Sequence, residues 1–557
     1  MQDKSELLFQ KGIHNFKFKN FIEAQKCFEE LKILHPKNKD ILKNLSLCYF
    51  QNNKFQDCEK IIKVMFELGF KEKKLIELLL LVLKKQDNAE EILKIISEEK
   101  NNINPKYQLI ERFERPAIAM NLEEIEKYRL NSLDKIDSAL SKNNLKLNID
   151  SQFSDPPLFY YSYDKNDNLE LSKKLNQLFR NTYIELSQSI ELNKFKNQKI
   201  KIGFISEFFK NHTISKLFKG LIFNLDRSLF DINVFYLDNG KEIDEDFFEN
   251  EKNNKLKNLK LPKLFNDKVN FLINQNLDII FYPDIGMSSQ LFYLTFLRLA
   301  KCQITSWGHP ETTGNPNIDY FLSSKLLETD LIDAQKHYSE KLLLSDYLPM
   351  YYFKPQIKKI IDDQELSVNS IFSCPQTLFK LHPDFDDVII KILQSDKKAK
   401  IYLLKDKEPS FAKKIYERLN NKISSQIHRI NFLDKMSVEN YINHCGRASV
   451  LLDPFYFGAG NSFHESMFYG TPTVSMPTKY LRSKIVEGAY KQMKISEPPI
   501  VNDLDEYVSL AVEMANDNPK KIIERKKYYA DCANKKLFEN KEGLKAFQKI
   551  LQDVANN

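Results

Sequence analysis

The spacing of apolar residues divides the chain into a helical part and a part in which strands alternate with helices. Up to residue 198, apolar positions recur mainly at the spacing of amphipathic helices, with a break at residues 101–105. From residue 199, short apolar runs such as residues 200–206 and 278–282 alternate with helix-like stretches. This alternation predicts a doubly wound parallel sheet. It restarts near Ser370, so we expect two such α/β units in tandem.

The N-terminal helices repeat with a period of 34 residues. Ala24 and Phe28 are followed 34 positions later by Cys58 and Ile62. Small residues fall where helices must approach closely, and larger apolar residues fill the space between them. This period is typical of tetratricopeptide repeats. We therefore predict two such repeats and a degenerate third over residues 5–100, and an ordinary helical bundle is the alternative.

The two patterns together predict a domain order. Between the repeats and the first sheet, helical patterns cover residues 122–145 and 169–192, with an aromatic segment at 157–163. We interpret this part as a helical connector packed against the next domain. The expected regions are helical repeats at 1–100, the connector at 101–198, a first Rossmann-like lobe at 199–350, and a second lobe with C-terminal helices at 351–557.

Composition and charge favour a soluble protein that binds neither nucleic acid nor membrane. The chain has 557 residues and a formal net charge of +7, with Lys and Glu interleaved along most of it rather than clustered. The seven cysteines are widely spread and form no CxxC pair, which favours reduced thiols over a disulfide framework or a zinc site. The polar N-terminus predicts no signal peptide, so we expect a cytoplasmic location.

Polar residues follow the predicted strands where each strand ends. His212 follows the strand at 200–206, and the segments 307–314 (WGHPETTG) and 374–380 (CPQTLFK) follow two others. Two tandem α/β lobes place a ligand cleft at the carboxyl ends of their strands. We therefore expect these segments to line one cleft.

The segment 453–462 is the most informative of them. Gly458 and Gly460 stand close together in a chain with only 14 glycines, just before a helix expected to begin near Asn461 and Ser462. Glycines and unpaired N–H groups at a helix start are suited to binding phosphate. Ser462 and Glu465 also match a capping box. For Glu465, that capping role and a contact with a ribose hydroxyl are the two alternatives.

Five motifs in order make the chain resemble glycosyltransferase family 41, which contains O-linked N-acetylglucosamine transferases with tetratricopeptide repeats and related bacterial protein glycosyltransferases. The resemblance covers about residues 158–515, and the later motifs are similar to the bacterial branch. The motifs are residues 307–314, 318–320 (IDY), 338–342 (YSEKL), 374–380 with 382–383 (HP), and 455–472.

The resemblance implies a GT-B fold whose C-terminal lobe holds most of a UDP-sugar donor. Lys380 matches a lysine that contacts the diphosphate, and His212 matches a histidine beside the donor that was long discussed as a base. Asn461 and Ser462 align with the loop that holds the diphosphate, and Glu465 aligns with an acidic residue that contacts ribose.

Further residues complete the expected site. Gln376 and Thr377, in the same motif as Lys380, are expected to bind the donor with Gly458 and Gly460. The base that deprotonates a hydroxyl acceptor is His212, His309 or Asp284, and His309 has the alternative role of orienting its loop. Where the animal enzymes have a histidine and paired threonines in the last loop, this chain has Gly460, Asn461 and Ser462.

The family implies no catalytic metal and no cofactor beyond the donor substrate. Asp384 and Asp386 formally match the carboxylate pair of metal-dependent transferases, but they follow His382 and Pro383 and are expected to begin a helix. Arg482 and Lys484 have two alternative roles: fixing phosphate or closing the lobes, and plain surface charge.

These observations predict an inverting glycosyltransferase with protein or peptide acceptors. The expected reaction moves N-acetylglucosamine from UDP-N-acetylglucosamine to Ser/Thr hydroxyls. The alternatives are UDP-glucose-dependent glucosylation of asparagine, transfer to a glycan or lipid head group, and a repeat scaffold that binds a nucleotide sugar without turnover.

Overall fold

The computed structural model describes residues 2–142, 144–155, 158–192, 195–237, 243–328 and 330–556. These residues pack as two units. The first contains Met1–Ile118 and Lys407–Lys414, and the second contains Ala119–Asp406 and Ile415–Asn557.

The first unit is a row of helices whose packing explains the 34-residue period. Ala24, Phe28, Cys58 and Ile62 are all buried in its core. Asn38 and Asn88 begin two of the helices by accepting N–H groups of the first turn, so each polar break between apolar stretches starts a new helix. The predicted helical repeats are confirmed. Their helices are α1 (Gln2–Lys17), α2 (Phe21–Leu34), α3 (Lys39–Gln51), α4 (Phe55–Glu67), α5 (Lys73–Lys85), α6 (Ala89–Glu98) and α7 (Lys106–Ile110).

In the second unit, the helices described before the first sheet are α8 (Leu122–Lys142), α9 (Ile149–Gln152), α10 (Leu158–Tyr161) and α11 (Leu169–Thr182). The prediction of a helix as far as residue 192 is wrong, because Tyr183 takes up an extended backbone and forms a parallel bridge with Leu147. A single 3₁₀ turn, Ile184–Ser187, follows.

The first lobe is built on a parallel sheet. Within the described residues its strands are β1 (Ile200–Ile205), β2 (Phe230–Tyr236), β3 (Lys257–Lys260), β4 (Ile279–Tyr282), β5 (Cys302–Ser306), β6 (Tyr320–Ser324) and β7 (Lys341–Ser345), in the order β3-β2-β1-β4-β5-β6-β7. Its helices are α12 (Thr213–Asn224), α13 (Glu245–Lys252), α14 (Phe265–Ile273), α15 (Ser289–Leu294) and α16 (Leu331–Gln335). The reversal of strand order beside β1 places the loops after β1 and β4 at a crevice.

The second lobe repeats this plan with a smaller parallel sheet. The strands that the structure describes are β8 (Ile371–Cys374), β9 (Lys400–Leu404), β10 (Ile430–Leu433), β11 (Val450–Leu452) and β12 (Thr473–Val474), in the order β10-β9-β8-β11-β12. Its helices are α17 (Asp363–Leu366), α18 (Asp386–Ser395), α19 (Pro409–Ile423), α20 (Val438–Arg447), α21 (Asn461–Ser466), α22 (Leu481–Met493), α23 (Leu504–Ala515) and α24 (Pro519–Lys536). The prediction of two Rossmann-like lobes after helical repeats is confirmed.

The last helix of the chain, α25 (Lys541–Asn556), returns to the first lobe. The ring of Phe547 lies 5.6 Å from that of Phe281 in β4, and Leu551 is buried in the same core. The two lobes are therefore tied together by the chain end as well as by the segment between β7 and β8. In the part of the chain that the structure describes, no helix has the length and apolar character needed to cross a membrane.

Candidate active site

A cavity of about 570 Å³ lies between the two lobes. Both sheets direct the ends of their strands toward it, as expected for tandem α/β lobes. Of the residues predicted for the site, Gly458 and Asp284 do not line this cavity, and the following do: His212, His309, Gln376, Thr377, Lys380, Gly460, Asn461, Ser462 and Glu465.

Lys380 is held at the floor of the cavity, in a 3₁₀ turn shortly after β8. Its Nζ donates hydrogen bonds to the Gln376 side-chain oxygen at 3.0 Å and to the Gly458 carbonyl at 2.9 Å. The ring centroid of Phe457 lies 4.7 Å from the same nitrogen. Burial lowers the pKa of Lys380 to about 8, so its ammonium is present at neutral pH but is less strongly favoured than on a surface.

The two glycines of the last loop have different roles. A Cβ on Gly458 would lie 2.9 Å from the Asp453 carboxylate, which accepts the backbone N–H of Ala459 at 2.6 Å. Gly458 therefore makes room for a buried carboxylate that shapes the loop, rather than for a ligand. A Cβ on Gly460 would meet nothing closer than 4.0 Å, so this position opens onto the cavity.

The helix after this loop, α21, begins at Asn461 as expected, but the capping-box interpretation is wrong. Gly460 is the N-cap and has no side chain with which to cap the helix. Ser462 lies inside the helix, where its hydroxyl accepts a hydrogen bond from Gln376. The Asn461 side-chain oxygen accepts from the Tyr352 hydroxyl at 2.7 Å. These contacts fix the side chains that the sequence assigned to a diphosphate.

Glu465 points toward the first lobe instead of back along its own helix. Its carboxylate lies 2.6 Å from Nζ of Lys216, which is part of α12. Lys216 was not among the predicted site residues, although it stands one helical turn after His212 on the same face.

His212 begins α12 as its N-cap. Its Nδ1 accepts the backbone N–H of Ile214 at 3.2 Å, and its ring stacks on Phe208 at 4.4 Å. Because Nδ1 is the acceptor of this bond, the neutral imidazole carries its proton on Nε2. His212 is thus suited to donating a hydrogen bond from Nε2, whereas accepting a proton at Nδ1 would break the cap.

His309 is buried under the cavity wall. Its Nε2 lies 3.2 Å from the Ser162 hydroxyl, and its ring stacks on Phe159 with centroids 6.0 Å apart. Burial, reinforced by the Arg482 charge, lowers the pKa of His309 to about 4, so the ring is neutral at physiological pH. Gly286 has a φ of +104°, and a Cβ there would lie 2.7 Å from the imidazole.

Asp284, the third candidate base, is buried outside the cavity lining. The Ser206 hydroxyl donates to its carboxylate at 3.0 Å, and burial raises the pKa of Asp284 to about 7. The structure therefore brings His212 and His309 to the cavity and leaves Asp284 beneath the adjoining loop.

An aromatic wall, formed by Phe159, Tyr163, Phe379 and Phe457, was missed in the sequence. The ring of Tyr163 lies 4.9 Å from that of Phe379 and 4.8 Å from that of Phe457. Half of the wall comes from the segment 157–163, which the sequence placed in the connector; Pro157 itself lies outside the described residues. The concentration of aromatic residues in this segment was the available signal.

The charges of the cavity are strongly unequal. Its described lining contains four lysines, Lys216, Lys380, Lys405 and Lys435, and one carboxylate, that of Glu465. Lys405 is paired with Asp434, outside this lining, at 2.8 Å. The lining still has an excess of positive charge, which favours an anionic ligand.

The two aspartates considered for a metal have other partners. Asp386 is buried and forms ion pairs with Arg418 at 2.8 Å and Lys422 at 3.1 Å, while Asp384 accepts a hydrogen bond from the Tyr456 hydroxyl at 2.6 Å. In the described part of the chain, no three His, Cys, Asp or Glu side chains are grouped so as to hold a metal ion.

Arg482 joins the lobes and is not a surface residue. It is 1% exposed, forms a 2.9 Å ion pair with Glu311 of the first lobe, and donates to the carbonyls of Asp164 and Asn166. His444 and His464 are packed within the second lobe.

The curated relatives act with different sugars. Over 376 residues the chain is 23% identical to a probable UDP-N-acetylglucosamine–peptide N-acetylglucosaminyltransferase, SEC, of Arabidopsis thaliana. The aligned region covers 63% of this chain and 36% of that protein. Over 262 residues the chain is 24% identical to a UDP-glucose:protein N-beta-glucosyltransferase of Actinobacillus pleuropneumoniae. This aligned region covers 45% of this chain and 40% of that protein. The chain thus matches well under half the length of either relative.

A solved structure shares the whole fold. A mutant O-GlcNAc transferase of Thermobaculum terrenum superposes with a TM-score of 0.66 at 13% identity, covering 100% of this chain and 98% of that one. The model of glycosyl transferase family 41 matches residues 163–366 and 360–547, which include the cavity and most of both lobes. The chain belongs to glycosyl transferase family 41.

Proposed function

We propose that this protein is an inverting glycosyltransferase that transfers N-acetylglucosamine from UDP-N-acetylglucosamine to Ser/Thr hydroxyls of protein acceptors. The observation that carries the proposal is the cavity between the lobes, whose lining contains four lysines and one carboxylate. A sugar nucleotide carries two phosphate charges beside a neutral sugar, which fits a cavity lined by both lysines and aromatic rings.

Lys380 is the group proposed to act on the leaving diphosphate. When the bond between the sugar carbon and the diphosphate oxygen breaks, negative charge grows on that oxygen. An ammonium already fixed by Gln376 and the Gly458 carbonyl stabilises this charge without reorganising. The acceptor hydroxyl oxygen attacks the opposite face of the sugar carbon as the bond to the diphosphate oxygen breaks, which inverts the configuration. UDP leaves with the bonding electron pair, and the hydroxyl proton passes to a phosphate oxygen of the leaving UDP or to water.

His212 and His309 are proposed to orient the reactants. The proton on Nε2 of His212 makes it a hydrogen-bond donor to a donor-substrate oxygen. The low pKa of His309 makes its neutral ring a weak base, and its stacking on Phe159 fixes the loop beside the aromatic wall.

A second candidate, UDP-glucose-dependent glucosylation of asparagine, is supported by the A. pleuropneumoniae relative that bears this name. The test is a donor-and-acceptor screen. Purified protein is incubated with UDP-N-acetylglucosamine or UDP-glucose and with proteins containing Ser/Thr or Asn acceptor sites, with and without EDTA.

Intact-mass spectrometry then reads the added sugar, and peptide sequencing locates it. A gain of one N-acetylhexosamine on Ser or Thr supports the first candidate, and a gain of one hexose on Asn supports the second. Donor binding without transfer or hydrolysis under any condition refutes both and leaves a scaffold that binds nucleotide sugars.

The alkaline side of the pH profile should report Lys380. Because burial lowers its pKa to about 8, the ammonium is present below that pH and is lost as the pH rises through it. We expect kcat/KM for donor hydrolysis to be level near pH 7 and to fall above pH 8 by up to about tenfold per unit. The kcat profile should fall at higher pH, since a bound diphosphate stabilises the ammonium.

The Lys380→Arg variant is the control for this profile. Arginine stays charged across the accessible pH range, so its profile should lack the alkaline fall even if its rate is low. An unchanged fall in the variant would assign the titration to another group.

Removal of the helical repeats should affect protein acceptors more than the donor. Deletion of residues 1–118 is expected to lower transfer to a protein acceptor at least about tenfold, with donor hydrolysis within about twofold. Repeat surfaces commonly hold an extended chain and raise its local concentration, whereas hydrolysis needs only the lobes. Parallel assays of both rates on soluble truncated protein decide the matter.

A full-length variant controls for contacts that the deletion removes. Lys85 pairs with Glu408 at 2.7 Å and Asp87 pairs with Lys414 at 2.8 Å, so the truncated protein leaves Glu408 and Lys414 unpaired. The double variant Glu408→Gln/Lys414→Met should retain both activities. Equal loss of transfer and hydrolysis on truncation would remove the recognition role.

A further inference from the structure

The ion pair between Lys216 and Glu465 crosses the cleft between the lobes. Lys216 lies on α12 of the first lobe and Glu465 on α21 of the second, 249 positions later, with Nζ and Oε1 2.6 Å apart. The Glu465 side chain is 7% exposed and that of Lys216 is 27% exposed. A pair this deeply placed is screened little by solvent.

The carboxylate of Glu465 is electrostatically unfavourable in a site that binds a polyanion. It is the one acidic group among the described residues that line the cavity, and an uncompensated negative charge there would repel a diphosphate. A carboxylate is nevertheless the best acceptor for a pair of neutral hydroxyl groups, because each of its oxygens accepts hydrogen bonds. A ligand with phosphates and a vicinal diol therefore accounts for both features.

The position of Glu465 fits the ribose of such a ligand. Phosphates at Lys380 are next to Ser462, since Gln376 contacts both residues. Glu465 follows Ser462 by about one turn of the same helix and lines the same cavity. A nucleoside has its ribose between its phosphates and its base, so the diol lies alongside Glu465.

We propose that Lys216 is a positioning residue for the donor. It orients the Glu465 carboxylate to accept the ribose hydroxyls and cancels the charge of that carboxylate toward the diphosphate. This inference rests on the proposed use of a nucleoside diphosphate sugar. It makes the first lobe a participant in nucleotide recognition through a residue that does not itself touch the reacting atoms.

The ion pair between Lys216 and Glu465 also borders a second cavity. Lys216 and Glu465 also line a cavity of about 360 Å³ beside the first, together with Tyr352 and Phe353 of the segment between the lobes. Because both cavities share these two side chains, we expect loss of the ion pair to join the two spaces and admit water next to the ribose position. Both effects of Lys216 therefore concern the nucleotide and leave the sugar-transfer step to other groups.

The test is nucleotide binding by isothermal titration calorimetry, using UDP and 2′,3′-dideoxy-UDP. The unmodified protein is expected to bind UDP at least about tenfold more tightly than the dideoxy analogue, because charge-assisted hydrogen bonds to the diol are lost in the latter. In Lys216→Met, UDP affinity should fall about tenfold and the ratio between the two nucleotides should fall to about two or less.

Three further variants make the result specific. Lys216→Arg should restore most of the discrimination, Glu465→Gln should abolish it, and the double variant Lys216→Met/Glu465→Gln should lose no more than Glu465→Gln alone. Lys219→Met is the matched control, since Lys219 lies on the same helix, pairs with Asp244 of its own lobe at 3.0 Å, and lines the second cavity but not the main one. It should bind both nucleotides as the unmodified protein does.

Kinetics provide a second measurement. For Lys216→Met we expect the KM for the UDP-sugar to rise about tenfold with kcat changed less than about threefold. An equal loss of affinity for UDP and the dideoxy analogue, or the same loss in Lys219→Met, overturns the inference and leaves Lys216 a purely structural link. Absence of UDP binding in the unmodified protein refutes the proposed function instead.

Discussion

Replacing Lys380 with methionine is expected to slow sugar transfer by about 100- to 1,000-fold while the protein remains folded. The ammonium is the cation fixed at the floor of the cavity by Gln376 and the Gly458 carbonyl, where a leaving diphosphate gains charge. Methionine keeps a chain of similar length against Phe457, so little packing is lost. Initial rates at saturating donor should show the loss in kcat, since the charge acts most strongly in the transition state.

A matched variant separates this effect from a general loss of charge. Lys391 lies on α18 of the same lobe and forms an exposed ion pair with Asp505 at 2.6 Å. Lys391→Met should transfer sugar at the unmodified rate, and both variants should unfold within a few degrees of the unmodified protein. Transfer by Lys380→Met at more than about a tenth of the unmodified rate would exclude Lys380 from leaving-group stabilisation.

The strands that the sequence predicted are those with continuous apolar runs. In β1 and β4, apolar residues fill nearly every position because both faces of these strands are covered. The strand β3 was missed because it lies at the sheet edge, carries lysines at both ends and is only half buried. In β6, the run of apolar residues ends at Ser323 and Ser324, although both serines are buried.

In the candidate site, too, some features were predictable from the sequence and others were not. The loops that carry Lys380, Gly460 and Asn461 follow strands, so the sequence placed them at the cleft without knowledge of packing. The partners of these residues were not predictable. Lys216 reaches Glu465 only because the lobes face one another, and Tyr352 reaches Asn461 from the segment between the lobes, 109 positions earlier. No periodicity in the sequence records such contacts.

Arg482 is the clearest example of a residue whose contacts could not be predicted from the sequence. In the sequence it is one of several basic residues after Pro477, and surface charge was as good an interpretation as lobe closure. In the structure it is buried, its guanidinium lies 4.3 Å from the Tyr480 ring centroid, and it links α22 to Glu311 of the first lobe. Glu311 in turn accepts a hydrogen bond from Asn168 at 3.0 Å, which extends the link to the chain before the first sheet.

Arg482→Met is therefore expected to destabilise the second unit by about 3–5 kcal/mol, because it leaves the Glu311 carboxylate buried without its counter-charge. Thermal unfolding followed by calorimetry should show the loss. Arg447→Met, which breaks an exposed ion pair with Glu365, should change stability by less than about 1 kcal/mol and serves as the control. The double variant Arg482→Met/Glu311→Gln should recover part of the loss.

The pH dependence of this loss identifies its cause. Burial already raises the pKa of Glu311 while Arg482 opposes that rise, so removal of Arg482 raises the pKa further. A carboxyl whose folded pKa lies above its unfolded value loses stability as the pH rises from the unfolded pKa to the folded one. The deficit of Arg482→Met should therefore be smaller near pH 5 than near pH 8. A deficit that is the same at both pH values, or no larger than that of Arg447→Met, would mean that the buried ion pair does not hold the lobes together.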